Sequence, residues 1–70
     1  MTIDEAKTLK PGQRVHCPAD RGDSAFSARV GHVSPIEAKA FGGAAYVWVT
    51  VIRDNGLSGG VWPSNRLLRQ

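Results

Sequence analysis

Few residues in this 70-residue chain have the types and spacing that chemistry requires. His16 and His32 fall on separate strand-like segments with no carboxylate or thiol at ligand spacing, so no metal site is expected. Cys17 adjoins His16, but neighbouring strand residues point to opposite faces and cannot pair as nucleophile and base. The glycines follow no phosphate-loop spacing ahead of a helix, and the serines have no matching base and acid. The chain is therefore read as non-catalytic, with no cofactor.

What remains is the chemistry of contact. Ala45-Tyr46-Val47-Trp48-Val49-Thr50-Val51-Ile52 is β-branched or aromatic at nearly every position, and alternation gives it two apolar faces. Val47, Val49 and Val51 form one face; Tyr46, Trp48, Thr50 and Ile52 form the other. A small barrel buries only one. If the valines point inward, the aromatic face is exposed and marks a partner site, extended by Trp62. The competing reading covers Tyr46 and Trp48 with the Pro35–Gly43 loop and makes them core. An exposed face can bind a peptide, pair with its own copy, or stack nucleic-acid bases with help from Arg21, Arg53 and Arg66.

The elements that must position these residues read as short strands. Thr2 caps a short turn with Glu5 three residues on, and Leu9-Lys10-Pro11-Gly12 carries a type II turn signature. This lead-in covers residues 1–12 of a single domain spanning 1–70. Gln13–Cys17 alternates, with Val15 and Cys17 on one face and Arg14 and His16 on the other. Pro18–Ser24 is a long polar loop, and Ala25–Val33 is a strand in which Gly31 marks a bulge or bend. Pro35 ends that strand or places it at an edge. Ile36–Phe41 reads as a loop rather than one helical turn, given the flanking Pro35 and Gly42-Gly43. Asp54-Asn55-Gly56 turns a hairpin, and Leu57–Trp62 pairs back. At the end, Pro63 presets a turn in which Ser64 and Asn65 bond their own backbone, and Leu67-Leu68 resumes a strand. The expected class is all-β, about five short antiparallel strands.

The segment from Gly60 through Pro63, Ser64 and Asn65 resembles the Gly-x-x-Pro-Ser-Asn-Tyr-Val ending of SH3 domains, with Arg66 in place of the tyrosine. The resemblance implies a small SH3-like barrel and carries Pro63 and Asn65 over as parts of a ligand groove. The tyrosine-rich first-strand motif of that family is absent. Asp20 and Asp23 keep the first long loop acidic, with Arg21 between them.

A second resemblance is to the plasmid-borne type II dihydrofolate reductases, which are SH3-like barrels working as tetramers around one pore. Gly12–Val15, Ala25–Gly31 and Val61-Trp62-Pro63 are similar in layout to that family. Its Val-Gln-Ile-Tyr segment, which contacts folate and the nicotinamide cofactor, corresponds here to Gly59-Gly60-Val61-Trp62. The glutamine has become Gly60 and the tyrosine Trp62, removing the polar groups that would orient both ligands. The resemblance carries over architecture and self-association, and not the activity.

Composition sets the outer bounds. Nine Lys and Arg against six Asp and Glu give a net charge of +3, a mild excess that assists nucleic-acid binding without requiring it. No apolar run approaches the ~20 residues of a membrane span, and the first residues lack signal-peptide character. One cysteine excludes an intramolecular disulfide, so the cytoplasm is the expected compartment. A domain this short buries roughly 60% of its unfolded surface, which leaves no room for a two-lobed cleft. The expectation is a binding or adaptor module that docks a protein or its own copy through Tyr46, Trp48, Trp62, Pro63, Asn65 and Arg66. A nucleic-acid-binding domain is the first alternative, and a type II dihydrofolate-reductase-like enzyme, which the second resemblance implies, is the remote one.

Overall fold

A computed structural model describes residues 1–20, 22–39 and 42–70. Helix α1 (Ile3–Lys7) opens the chain and is set by a capping box. The Thr2 hydroxyl accepts from the Glu5 amide at 3.2 Å, and the Glu5 carboxylate accepts from the Thr2 amide at 3.2 Å. The helix buries Ala6 and the following Leu9 against the sheet. The next turn is the expected one. Gln13 donates to the Lys10 carbonyl at 3.1 Å, and Gly12 takes the positive φ of 90° that a type II turn demands of its third residue.

Five antiparallel strands follow: β1 (Arg14–Cys17), β2 (Phe26–Lys39), β3 (Ala45–Arg53), β4 (Ser58–Pro63) and β5 (Leu68–Arg69). Their order in the sheet is β4-β3-β2-β1-β5, so the last strand returns to lie beside the first. A 3-10 turn over Ser64–Arg66 carries the chain from one edge of the sheet to the other. Among the described residues, β4 and β5 share no ladder, and hydrogen bonds do not close the expected barrel. β5 is two residues long, and β4 ends in a proline without an N–H, so neither edge has the donors for a long seam.

β2 departs from the expectation most clearly. It does not stop at Pro35, and residues 36–39 are strand rather than loop: Glu37, Ala38 and Lys39 pair with Val47, Tyr46 and Ala45. The ladder skips between Val33 and Glu37, so the missing N–H of Pro35 falls where no cross-strand bond is made. The Ser34 hydroxyl accepts from the Ile36 amide at 3.2 Å and holds the bulged chain. Ala40 and Phe41 of the expected loop lie outside the described residues. A second register shift, between Val30 and His32, falls at Gly31, where a bulge or bend was read. The Asp54–Gly56 hairpin forms as read, with Gly56 at φ 86° and the Leu57 amide bonded to Asn55.

The core is small and mostly β-branched. Val15, Cys17, Ala28, Val30, Val47, Val49, Val51 and Leu67 are buried, with Ala6 and Leu9 closing one end. All three β3 valines point inward. Ser64 is the buried polar member, and it does not bond its own backbone as expected. Its Oγ accepts from the Val47 amide at 3.1 Å, which bolts the 3-10 turn to the start of β3. Leu67 is buried just before β5, while Leu68 faces outward.

Candidate binding face and an aromatic–cation cluster

The inward valines turn the other side of β3 out. Trp48 is 43% exposed, Ile52 37% and the neighbouring Val61 of β4 58%, which together make an apolar patch on the outer sheet face. Directly paired strand residues share a face. Trp48 lies opposite Pro63, Thr50 opposite Val61 and His32, and Ile52 opposite Arg29. Tyr46 is half-buried and meets Trp48 edge to face, with ring centroids 5.3 Å apart and an interplanar angle of 84°. That contact fixes the indole without covering it. On the same face, β1 presents Arg14 and His16. Arg14 is engaged bidentately by the turn residue Asp54, at 3.1 and 2.9 Å.

Trp62 does not extend this patch. It pairs with Val49, an inward residue, so its ring turns to the core side and packs against Phe26 with centroids 6.0 Å apart. Its Nε1 donates to the Gly59 carbonyl at 2.9 Å. Arg53 lies over the Phe26 ring at 3.9 Å, and Arg66 lies over Trp62 at 5.7 Å while reaching Asp20 at 3.5 Å. Cations over aromatic faces are held there by the ring quadrupole. This cluster joins β2, β3, β4 and the 3-10 turn on the core side of the sheet. Gly59 makes room for it: a Cβ there would stand 2.7 Å from Val51 Cγ2 and 3.2 Å from the Phe26 ring.

The residues singled out from sequence therefore divide. Tyr46, Trp48 and Pro63 come together on the outer face; Trp62, Arg53 and Arg66 gather around Phe26, the two guanidinium groups directed at rings and, for Arg66, at Asp20. Asn65 is exposed on the 3-10 turn, and Arg21 lies outside the described residues. Val61, Arg29 and His32 belong to the outer face and were not singled out, because only strand register places them beside Trp48.

A third feature had no sequence signal. A cavity of about 420 Å³ opens between α1 and the bulged part of β2, over a floor of Leu9, Val33 and Val47. Lys7 and Glu37 form an ion pair at its rim, and the carboxylate holds the Lys7 ammonium above the ordinary lysine range. The bulge at Pro35 creates this space, and neither the bulge nor the pair is visible in local sequence.

His16 and His32 stay apart on the outer face, and among the described residues no three His, Cys, Asp or Glu side chains converge on a point. Cys17 is fully buried, and burial pushes its thiol above the ordinary value, the opposite of what an activated nucleophile needs. Among the described residues no helix is long and apolar enough to cross a membrane. Compared with known protein families, curated proteins and solved structures, the chain matches none of them.

Proposed function

We propose that this chain is a small SH3-like binding module that docks a protein partner on the outer face of β3 and β4. The return of β5 to β1 through a 3-10 turn bearing Pro63, Ser64 and Asn65 supports the SH3-like reading. The observation that carries the function is the exposure of Trp48, Ile52 and Val61 on one face of β3 and β4. Large apolar side chains left partly in water cost solubility, and a grouped patch of them is a common mark of a docking site.

The sheet edges favour the face over edge pairing. β4 carries Gly60 at φ 91° and ends in Pro63, both of which blunt an edge against added strands. The patch is also small. Three side chains so exposed present on the order of 300 Å², well short of the about 800 Å² per side that a stable dimer covers. A short segment of a partner suits it better than a second copy. The nucleic-acid reading is weakened because Arg53 and Arg66 are engaged with rings and, for Arg66, with Asp20.

The test is selection of displayed dodecapeptides on the protein, with counter-selection on Trp48→Ser. Clones that bind the wild type and lose the variant support the docking face. Light scattering should give the mass of one chain, 7.5 kDa, across micromolar concentrations. Absence of Trp48-dependent clones, or a stable dimer that Trp48→Ser dissolves, would contradict the reading.

A further inference from the structure

We infer that the outer face selects a segment in which a carboxylate sits beside apolar residues. This inference rests on the docking reading above and adds the chemistry of the partner. The strand register gives this face an unbalanced charge. β1 and β2 contribute Arg14, His16, Arg29 and His32, and no strand residue that register places there is an Asp or Glu.

Arg14 and Arg29 stand directly opposite one another across β1 and β2. Like charges in that position repel. Asp54 neutralises Arg14 through two hydrogen bonds, which leaves Arg29 as the outstanding cation. Lys7, Arg14, Arg66 and Arg69 each have a carboxylate partner, whereas Arg29 has none among the described residues. Arg29 is also the residue directly opposite Ile52, at the border of the apolar patch. A guanidinium opposite an exposed Ile52, on the face that also carries Trp48, is a receptor for an acidic side chain whose neighbours are apolar. Its planar fork takes a carboxylate through two parallel hydrogen bonds. Binding would then give Arg29 the carboxylate partner that Asp54 already gives Arg14.

The patch area sets the partner's size. A surface of a few side chains matches a peptide segment with one or two apolar anchors and does not match a folded domain face.

The experiment takes the peptides selected above and measures their affinity for wild type, Arg29→Gln and Arg29→Glu, each checked for its fold by circular dichroism. Selected sequences should be enriched in Asp or Glu next to Leu, Ile or Phe. Replacing that acid by its amide should weaken binding about tenfold, and Arg29→Gln should reproduce the loss, as for a hydrogen bond to a charged group. A repeat selection on Arg29→Glu should shift the enrichment to Lys and Arg. Trp48-dependent peptides with no acid preference and no response to Arg29 would overturn this inference and leave the docking face standing. No Trp48-dependent peptides would overturn both. Oligothymidylate competing with the peptides and binding more tightly would replace the peptide partner with a nucleic acid.

Discussion

Ser64→Ala tests how the binding face is held. The Ser64 hydroxyl accepts from the amide of Val47, between Tyr46 and Trp48 on β3, at 3.1 Å, and Ser64 is 1% exposed. Alanine removes the oxygen with little change in shape, leaving a buried N–H without a partner. That costs about 1–3 kcal/mol. A domain of this size has a total stability of roughly 3–10 kcal/mol, and about 2 kcal/mol lowers its melting temperature by roughly 8–16 °C. Urea unfolding followed by tryptophan fluorescence should show a lower midpoint with an unchanged slope, the sign of lost stability without a change in exposed surface. Ser64→Cys, which keeps a weak acceptor, should fall between alanine and wild type. A loss below about 0.5 kcal/mol for Ser64→Ala would refute the argument, because it would mean that the Val47 amide is satisfied elsewhere.

Three further outcomes follow from the same packing. Trp62→Ala should cost about 3 kcal/mol because it removes the packing on the Phe26 ring and the bond to the Gly59 carbonyl, and peptide binding by the fraction still folded should survive. Gly59→Ala should destabilise by about 1–3 kcal/mol in chemical denaturation, since the new Cβ would meet Val51 at 2.7 Å and Phe26 at 3.2 Å. Glu5 carries a pH dependence: the hydrogen bonds it accepts from the Thr2 backbone and hydroxyl, and then the charge of Arg69, hold its carboxyl below the ordinary range. A lowered folded value means that its contribution is present above the unfolded carboxylate pKa and is lost as pH falls through the folded one. Thermal melts of Glu5→Gln, which keeps the capping geometry, should show a shallower acid limb than wild type.

The parts of the fold carried by local pattern were legible. The capping box at Thr2 and Glu5, the turns at Gly12 and Gly56, and the alternation of β3 each depend on residues within a few positions of one another. The choice between an exposed and a covered Trp48 was not legible, because both faces of β3 are apolar and only pairing decides which is inward. Pairing Val49 with Trp62 settles both residues together, turning Trp62 to the core side and Trp48 out. Pro35 misled for a related reason: its missing donor ends a ladder only where a ladder bond would have been made, and the bulge removes that bond. The Ser64 contact spans 17 positions, and the stacking of Arg53 on Phe26 joins β3 to β2. Neither leaves a local trace. The cluster around Phe26 shows the same limit, since three residues read as binding groups, Trp62, Arg53 and Arg66, are brought together there from β3, β4 and the 3-10 turn.

The most direct test of the docking face is a map of amide chemical shifts as a Trp48-dependent peptide is added. The largest changes should fall on Trp48, Thr50, Ile52, Val61, Arg29 and His32, with Phe26, Trp62 and the Lys7–Glu37 cavity unmoved. Largest changes at Phe26 and Trp62 or in the cavity, with the outer face silent, would contradict the docking face.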